Sequence, residues 1–456
     1  MFWSAIQLWD LIVYHKMHLF FVFSCYVWIV FLVKFLSARK YKPYTGDAPA
    51  LATSAVVVVF REKIDDFKRC LQSLKKQEGL NDIIVVIDER DQGKYEELLK
   101  WMNIKYTYAP PGKREAIAKG IKTISGDIIF IVDSDSILAD EKVVTEMLKP
   151  FNDPQVGGVT PTHQIYNPST IYDAIADWME DSRWKISNRA MSAKGCIGCL
   201  PGRVLAFRRK VIEPHLDEFL NETFLGKKCI TGDDRYLTSI TLMEGYKTVY
   251  QSTATIYTAC PNGFLSFVKM HLRWARSSQR ETIKALGWYL KKPFILPFSF
   301  ITDIITPFFF MIVLICALAN IVFRFDQTFI IEGTFYDSSL IGLTLGYIGM
   351  NISLGLRQIP HLKKKKEDIP FLFLWAPFMT FVMMPLRIIG FFTMTKQDWM
   401  TRHDDTLCHK TEGRTGRFSS WKSLLIISLL VCILFSLIVL FLISAVSAYR
   451  ITTVYG

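Results

Sequence analysis

Acidic residues follow two apolar runs of the chain, in positions that suit cation and phosphate chemistry. Asp88 closes the run NDIIVVID, and Asp133 and Asp135 close the run GDIIFIVDSD. Carboxylates that gather at one edge of a sheet repel one another unless a cation joins them. Mg²⁺ is typically bound by one or two carboxylates together with substrate phosphates, so a divalent ion that holds a diphosphate is the economical interpretation. Asp-x-Asp alone is a common acidic turn, and its place after a buried strand is what favours a site.

Two cationic residues lie upstream of Asp133 and Asp135 in the sequence. Lys113 and Arg114, in PPGKRE, begin a predicted helix directly after a glycine. A helix N-terminus that carries two cations suits a phosphate group. A solvated basic turn is the alternative on local grounds.

The segment 37–290 supplies the elements that must position these residues. LATSAVVVVF is predicted to be a buried strand, and REKIDDFKRCLQSLKKQ an amphipathic helix with Phe67 and Leu71 on its apolar face. KYEELLKWM and GKREAIAKGIKTI are predicted helices, and IKYTYA is a predicted strand. Strands that alternate with helices indicate a mostly parallel sheet covered on both faces. Ligands of such sheets bind beyond the carboxyl ends of the strands.

The composition indicates a membrane protein. Half of the 456 residues are hydrophobic and 14% are aromatic, which argues against an all-soluble chain. The 54 Lys and Arg exceed the 42 Asp and Glu by 12, and these charges must lie mostly outside the apolar spans. A disordered chain and a collagen-like repeat are excluded, and nine cysteines are too few for a disulfide scaffold.

Apolar runs predict the membrane segments. The first, 18–36, is long enough to cross about 30 Å of hydrocarbon, and the basic cluster at 39–42 places its C-terminal end in the cytosol. A signal peptide is the alternative, but the run is too long and no cleavage site follows it. The residues before it are predicted to lie on the bilayer surface. Further runs cover 300–323, 338–356, 369–392 and 421–448, of which the last is predicted to cross once more.

The run 369–392 has two interpretations. Pro377 and Pro385 interrupt it and Arg387 lies within it, which favours re-entrant or interfacial helices over a simple span. An ordinary kinked span is the alternative. The four lysines at 363–366 are predicted to be cytosolic.

Taken in order, the motifs of the chain resemble those of membrane-embedded processive family-2 glycosyltransferases, which include the hyaluronan, chitin, cellulose and alginate synthases. Within that group the hyaluronan synthases and the bacterial type 3 capsule synthase are the most similar. The resemblance covers about residues 50–405. It is carried by Asp88, GKR at 112–114, DSDS at 133–136, TGDDR at 231–235 and RW at 273–274, with WMTR at 399–402 in support.

The resemblance implies a GT-A-like α/β domain inserted between an N-terminal and several C-terminal membrane helices. The protein would be an integral protein of the plasma membrane with a cytosolic catalytic domain. The implied divisions are 1–36 (interfacial segment and first transmembrane helix), 37–290 (catalytic domain), 291–392 (membrane and interface helices), 393–420 (cytosolic gating loop) and 421–456 (C-terminal transmembrane helix).

The resemblance also implies roles on the donor side. Asp88 and Asp133 would hold the uridine and ribose of a UDP-sugar, and Lys113 would touch its diphosphate. Asp135 would ligate Mg²⁺ or Mn²⁺ on that diphosphate. Asp234 would be the general base of a single inverting displacement. Arg114, Asp233 and Arg235 join the substrate-binding group, although an N-cap with a local ion pair is the structural alternative for TGDDR.

On the acceptor side, Arg273 matches a phosphate contact and Trp274 a platform for the acceptor sugar, with a membrane-interface anchor as the alternative for the tryptophan. Cys199, Pro201 and Gly202 would floor the acceptor end. Trp399 and Arg402 match the gating loop that covers the nucleotide in similar proteins.

Two residues depart from the family pattern, and two other features have alternatives. Met270 and Met400 replace the usual Gln and Gly of the RW and WMTR motifs. The pair Cys196 and Cys199 has the spacing of a redox or half-zinc motif, but no second pair with suitable spacing follows it. The tryptophans of the helical stretch before it are either core or sugar-contacting residues; these are Trp178 and Trp184.

The resemblance implies an enzyme that polymerises UDP-sugars into a β-linked polysaccharide and secretes it through its own channel. UDP-glucuronic acid and a second UDP-sugar are the expected donors, because both of the most similar groups use that pairing. The nascent polysaccharide and the lipid bilayer are the other expected partners, and nucleic acid is not. The alternatives are transfer of one sugar to a lipid carrier and a single-sugar polymer of the chitin or glucan type. A transporter with a regulatory nucleotide-binding domain is disfavoured, because the chain has too few predicted membrane spans for a typical transporter.

Overall fold

A computed structural model describes most of the chain in two units. One unit comprises Val33–Phe300 and Gly390–Asp405, and we call it the sheet unit; the other, the apolar unit, comprises Met1–Leu32, Ile301–Ile389 and Thr406–Gly456. The described residues are 19–168, 170–260, 263–323, 329–331, 334–336, 348–349, 352–353, 355–359, 361–366, 369 and 378–397.

The strands that form the main sheet are β1 (Thr53–Val59), β2 (Asp82–Asp88), β3 (Lys105–Ala109), β4 (Ile128–Asp133), β5 (Ile137–Leu138), β6 (Val156–Ile165), β7 (Val204–Arg208) and β10 (Lys247–Thr258). Among the described residues, these eight strands lie in the order β3–β2–β1–β4–β7–β6–β10–β5. Two short hairpins complete the strands, β8 (Thr223–Phe224) with β9 (Lys227–Lys228) and β11 (Phe329–Ile331) with β12 (Thr334–Tyr336).

The sheet is mostly parallel, as the sequence predicts. β1 pairs in parallel with β2 and β4, β2 with β3, and β6 with β10. β7 runs antiparallel between β4 and β6, and β5 runs antiparallel to β10. In this register Val58 of β1 is level with Asp133, and Val59 is level with Ile87. Asp88 and Asp133 therefore end β2 and β4, the two strands that flank β1, at the same edge of the sheet.

The helices connect and cover these strands. They are α1 (Leu19–Ala38), α2 (Ile64–Lys75), α3 (Glu96–Trp101), α4 (Lys113–Thr123), α5 (Val143–Leu148), α6 (Ile171–Ser182), α7 (Arg189–Ser192), α8 (Arg209–Ile212), α9 (Leu216–Leu220), α10 (Asp233–Met243), α11 (Phe264–Tyr289), α12 (Ile295–Phe323) and α13 (Met384–Phe392). π-Helical turns at Arg183–Asn188 and Met379–Met383 precede α7 and α13.

The valine run of β1 is buried on both faces of the sheet. Val57 packs in one apolar cluster with Phe67 of α2, whereas Val56 packs in a second cluster with Ile117 of α4. Because helices cover both faces, the strand has no polar side to present, and its sequence is a continuous apolar run rather than an alternating one. The predicted pairing of this strand with an amphipathic helix is confirmed.

The described part of the chain contains one helix long and apolar enough to cross a membrane, with the apolar stretch Ile295–Ile315. It belongs to α12, which begins five residues before the predicted span at 300–323. Within the apolar unit, Phe23 lies with its ring centre 5.3 Å from that of Phe310, and the hydroxyls of Tyr26 and Thr306 are 3.0 Å apart.

Several predicted membrane segments lie outside the described residues. These are the surface segment that precedes residue 18 and the run 421–448, together with most of 338–356. Of the run 369–392, the structure describes residue 369 and the part from 378 onward. Pro385 is the second residue of α13 and directly follows the π-helical turn Met379–Met383.

Gly120 sets how closely α4 approaches the sheet. A Cβ atom at this position would lie 2.2 Å from Val56 Cγ1 and 3.1 Å from Val86 Cγ2. Since β1 is hydrogen-bonded on both sides, it cannot retreat to make room. The glycine therefore fixes the height at which α4 presents Lys113 to the edge of the sheet.

We predict that Gly120→Ala lowers the free energy of unfolding by about 1–3 kcal/mol through overpacking. Gly287→Ala is the matched control, because Gly287 also lies in a helix and a Cβ there would meet nothing within 4 Å. That change should raise stability by about 0.4–1 kcal/mol. Thermal unfolding of the detergent-solubilised protein measures both, and equal midpoints for the two variants would contradict the packing argument.

Candidate active site

Lys113 joins two acidic elements of the sheet unit. Its Nζ lies 2.7 Å from Asp133 Oδ1 and 3.2 Å from Asp233 Oδ2. Burial lowers the pKa of Lys113, but the two carboxylates raise it by more, so the net shift is upward and the lysine stays charged. The residue before it, Gly112, has φ 139°, which an L side chain rarely adopts. The sequence prediction that Lys113 begins a helix directly after a glycine is confirmed.

Asp234 accepts hydrogen bonds from the loop that precedes β7. Its Oδ2 lies 3.2 Å from the amide nitrogen of Gly202 and 3.7 Å from the thiol of Cys199, which donates to it. Burial and the neighbouring Asp233 raise the pKa of Asp234 against the opposing effect of Lys113 and Arg235. A carboxylate with a raised pKa at the mouth of a site is suited to accept a proton.

The two acids of TGDDR have different electrostatic environments. Burial raises the pKa of Asp233 as well, but Lys113 and Arg114 lower it by more, so its net shift is downward. Asp233 therefore stays ionised beside Lys113 while Asp234 is the more basic of the pair. Adjacent carboxylates whose pKa values are pushed apart are typical of catalytic sites.

Gly232, and not an acidic residue, is the N-cap of α10. Its φ is 85°, and a Cβ there would lie 2.9 Å from Arg280 Nη2. Asp233 and Asp234 are the first residues of the helix, so the alternative of an acidic N-cap is wrong. The guanidinium of Arg235 lies 5.0 Å from the centre of the Phe300 ring, and its charge lowers the pKa of Asp234.

Asp88 is held at its strand end by Arg90, which the sequence analysis did not single out. Arg90 donates from Nε to Oδ1 at 2.8 Å and from Nη2 to Oδ2 at 2.7 Å, and the amide of Gly112 lies 3.3 Å from Oδ2. Burial raises the pKa of Asp88, but these donors lower it by more. The guanidinium of Arg90 also lies 4.0 Å from the centre of the Phe60 ring. The carboxylate is thus fixed next to the turn that begins α4.

The DSDS loop is hydrogen-bonded to Arg203, the residue that precedes β7. The amide of Asp133 and the hydroxyl of Ser136 both donate to the carbonyl of Arg203, at 2.9 and 3.1 Å. Asp133 and Asp135 are both partly exposed. Their carboxylate oxygens are the hard ligands that Mg²⁺ and Mn²⁺ prefer, so this donor set fits a divalent cation.

A second group of potential metal ligands lies deeper in the sheet unit. Glu222, Cys229 and Glu281 are buried with ligand atoms within 4.8 Å of one another. Glu222 already pairs with Arg114 at 2.6 Å and with Lys284, and Glu281 pairs with Arg280 at 3.0 Å. Three cations in contact with two carboxylates leave little negative charge for a metal ion, and we assign none to this group.

Arg114 points away from Lys113 into the interior. Its side chain is 2% exposed and donates to the carbonyls of Phe219 at 2.7 Å and Thr231 at 3.2 Å. A guanidinium that is buried and engaged by protein partners is poorly placed to touch a diphosphate. The structure therefore gives Arg114 a place behind the TGDDR turn rather than in the expected substrate-binding group.

The loop that contains Cys199, Pro201 and Gly202 contacts Asp234. Burial, assisted by Asp234, raises the pKa of Cys199 to about 12, so its thiol stays protonated and donates to that carboxylate. Burial also raises the pKa of Cys196 to about 12, and a thiol that stays protonated at neutral pH does not favour the redox interpretation. A Cβ at Gly202 would lie 3.2 Å from Lys113 Nζ and 3.5 Å from Asp234 Cβ. A side chain at this position would therefore press on the ammonium group of Lys113.

Trp274 is partly exposed on α11, next to Arg203. The guanidinium of Arg203 lies 5.4 Å from the centre of the Trp274 ring, and its Nη1 donates to Glu180 at 2.8 Å. Arg273 is also partly exposed on α11. Met270, which replaces the usual glutamine, is buried and 7% exposed.

Other residues of the sequence analysis have simpler outcomes. Trp178 and Trp184 are 2% and 1% exposed, so they are core residues and not sugar contacts. Trp399 and Arg402 lie outside the described residues. The sequence analysis missed four residues that contact the site residues or the turn before Asp234. They are Arg90, which binds Asp88; Arg203, which contacts Trp274; and Arg280 and Gln397, which bind Thr231.

Comparison with known proteins identifies the family of the chain. The family model described as "Glycosyltransferase like family 2" matches residues 49–277. Hyaluronan synthase of Streptococcus pyogenes serotype M3 is 26% identical over 423 residues, which cover 89% of this chain and 97% of that protein. Human hyaluronan synthase 3 is 28% identical over 303 residues, which cover 65% of this chain and 51% of that protein.

A solved structure shows the same fold in its sheet domain. It is a mannosyltransferase from Pyrobaculum calidifontis in complex with GDP-Man and Mn²⁺, with a TM-score of 0.55 and 16% identity over 80% of this chain and 98% of that one. The mostly parallel sheet is accordingly GT-A-like. Together with the family match, the fold shows that the chain belongs to glycosyltransferase family 2 and is a glycosyltransferase.

Proposed function

We propose that the protein is a processive inverting glycosyltransferase that polymerises UDP-sugars into a β-linked polysaccharide. The observation that carries this proposal is the arrangement of Asp234, which has a raised pKa and lies over the loop of Cys199 and Gly202, beside the cation Lys113. Similarity to a hyaluronan synthase along 97% of its length supports polymer formation over a single transfer.

In the proposed reaction a hydroxyl oxygen of the acceptor sugar attacks the anomeric carbon of the donor. Asp234 takes the proton from that hydroxyl as the new C–O bond forms. The bond between the anomeric carbon and the diphosphate oxygen breaks, and UDP leaves with the electron pair on the opposite face. Lys113 offsets the negative charge on the leaving diphosphate.

The donor is held at the edge of the sheet. Asp88 and Asp133 orient the nucleoside, and Arg90 keeps the carboxylate of Asp88 ionised and fixed. Asp135 holds Mg²⁺ or Mn²⁺, which supplies positive charge next to the diphosphate when it is bound.

The acceptor end lies against Trp274, with Arg273 nearby on the same helix. An aromatic face suits the C–H face of a sugar ring, and Arg203 fixes the tryptophan by its contact with the ring. The segment with Trp399 and Arg402 is proposed to cover the nucleotide. By the similarity to hyaluronan synthases, the donors are UDP-glucuronic acid and a second UDP-sugar.

We also propose that the protein is integral to the plasma membrane, with the sheet unit in the cytosol, where nucleotide-sugars are available. The candidate membrane helix at Ile295–Ile315 and the basic cluster after α1 support this location. The domain divisions given by the sequence motifs are retained as part of the proposal, including secretion of the product through the membrane helices.

Purified protein incubated with Mg²⁺ or Mn²⁺ and with UDP-sugars, singly and in pairs, tests the proposal. Release of UDP establishes turnover, product size establishes polymerisation, and digestion with linkage-specific hydrolases identifies the polymer. A high-mass product that requires UDP-glucuronic acid is the expected result. A polymer from one donor would favour the chitin or glucan type, and a product of one sugar on a lipid would favour the lipid-carrier alternative.

Replacement of the proposed base should remove catalysis without removing the fold. We predict that Asp234→Asn lowers kcat by about 10²–10⁴-fold, because the amide cannot accept the proton, while UDP binding is retained. Asp217→Asn is the control, since the side chain of Asp217 is 88% exposed and far from this chemistry. UDP release and UDP affinity measure the two effects, and substantial turnover by a correctly folded Asp234→Asn protein is the contradicting outcome.

The pH dependence of kcat/KM should report the raised pKa of Asp234. The carboxylate must be deprotonated to act, so activity falls as the pH drops through its pKa, at a higher pH than for an ordinary aspartate. Asp233→Asn removes the negative charge that contributes to this shift. The acidic limb of the profile should then move to lower pH; an unmoved limb would contradict the assignment.

Asp135 should govern metal affinity. We predict that EDTA abolishes UDP release and that Asp135→Asn weakens Mn²⁺ binding by about 10-fold or more, since a charged ligand is lost. Binding of Mn²⁺ in the presence of UDP, followed by electron paramagnetic resonance, measures this without turnover. Asp140→Asn, in the exposed turn beyond the motif, is the control and should bind Mn²⁺ like the unchanged protein.

A further inference from the structure

The turn that leads into Asp234 is held from behind by two buried arginines. The carbonyl oxygen of Thr231 accepts from Arg280 Nη2 at 2.5 Å and from Arg114 Nη2 at 3.2 Å. The next residue, Gly232, has φ 85°, and a Cβ there would lie 2.9 Å from the Arg280 guanidinium. The arginine therefore packs directly on the backbone that sets where α10 starts.

Gln397 holds the same turn from a distant part of the sequence. Its Oε1 accepts from the amide of Ile230 at 3.3 Å, from the hydroxyl of Thr231 at 3.4 Å and from Arg280 Nη1 at 2.9 Å. One side-chain oxygen thus joins the backbone before Asp234 to the arginine behind it. An acceptor shared by three donors also fixes which end of the amide faces the turn.

These side chains do not line the surface of the site. Arg280 is 0% exposed and Gln397 is 8% exposed, and Thr231 between them is 3% exposed. Arg280 is neutralised by Glu281, with Nε 3.0 Å from its carboxylate. Apolar residues that replace a buried ion pair of the same volume often leave a protein as stable or more stable, so we attribute to Arg280 and its partners a role in fixing geometry.

The segment that carries Gln397 is attached to α11 at a second point. Arg276 Nε donates to the hydroxyl of Thr393 at 3.0 Å. Residues 390–397 and the TGDDR turn belong to the same compact unit of the chain. The segment after α13 is therefore a structural support of the candidate site, 160 residues or more from it in sequence.

We propose that Arg280 and Gln397 are positioning residues that hold the turn Ile230–Gly232 and thereby place the carboxylate of Asp234 against the acceptor. The inference rests on the proposed role of Asp234 and extends it to residues that no motif of the donor or acceptor site includes. Neither residue touches substrate; each acts through the backbone of the turn. A displacement of about 1 Å at a catalytic group can cost about 10²-fold in rate, so the support has a measurable effect.

The groups that face Asp234 determine its pKa, and the pH dependence of kcat/KM reports that pKa. They are Asp233, Arg235, Lys113 and the donors of the loop before β7, namely the Cys199 thiol and the Gly202 amide. If the turn relaxes, Asp234 gains contact with water, and the burial that raises its pKa diminishes. The acidic limb of kcat/KM then moves to lower pH, which a purely structural loss of stability would not cause.

The test compares Gln397→Leu with Gln251→Leu in the full-length protein. Gln251 is a matched control because it is also a buried glutamine of the sheet unit, 0% exposed, and its amide joins two segments by bonds to Tyr44. Both variants lose a buried amide and should lower the midpoint of thermal unfolding by similar amounts. Only Gln397→Leu should lower kcat, by about 10- to 100-fold, with the KM for the donor little changed.

A conservative variant separates positioning from folding. Gln397→Glu keeps an oxygen that accepts from Ile230, Thr231 and Arg280, and it should restore kcat to within about threefold of the unchanged protein, since the geometry of the turn is kept. The same measurements of UDP release, with the UDP-sugars and Mn²⁺, apply to all three variants and include the pH profile.

The outcomes distinguish this inference from the function on which it rests. If the unchanged protein releases no UDP from any donor, the proposed function fails and the inference fails with it. If it is active but Gln397→Leu and Gln251→Leu have equal kcat and equal pH profiles, the positioning role alone is overturned. Loss of kcat in Gln397→Leu, with a shifted acidic limb and rescue by Gln397→Glu, supports the inference.

Discussion

The candidate site depends on one ammonium group between two carboxylates. Lys113 joins the end of β4 to the start of α10, and without it the acids on these elements would repel each other across a partly buried edge. The surrounding glycines serve this approach. Gly120 lets α4 lie close to the sheet, Gly202 leaves room above the lysine, and Gly232 allows the turn into α10. Glycines thus occur where charged groups, or the helix that carries Lys113, approach the rest of the site closely.

The sequence predicted the part of the site that follows from strand ends. Asp88 and Asp133 could be placed together because parallel strands carry their carboxyl ends to one edge, and the valine run of β1 marks a strand buried on both faces. Arg114 could not be placed in this way, because whether a residue in the first turn of a helix faces the edge or the interior depends on what packs beneath it. Here α9 and the turn at Thr231 supply carbonyls that draw the guanidinium inward.

Residues that hold the turn before Asp234 from distant parts of the chain could not be predicted from the sequence either. Gln397 and Thr231 are 166 residues apart, and nothing in either local pattern indicates the other. The sequence contains one weak indication of Arg280. It follows Arg273 of the RW motif by two helical turns and so lies on a similar face of α11. In the apolar unit, α12 begins before the predicted start of its apolar run, and Pro297 is tolerated there because it lies in the first turn of the helix.

The antiparallel course of β7 has a consequence for how such an enzyme can be altered. Val204 of β7 pairs with Val132 of β4, so the entry to β7 lies at the edge where β4 ends. The loop of Cys199 and Gly202 therefore leads into a strand that runs opposite to β4, and its length does not set the register of β1 with β2 or β4. The conformation of this loop is also fixed by the sheet, because Ile197 and Leu200 are fully buried and the amide of Ile197 donates to the carbonyl of Thr248 in β10 at 3.2 Å. A new shape beside Asp234 is therefore expected to come from replaced side chains of this loop and not from added length.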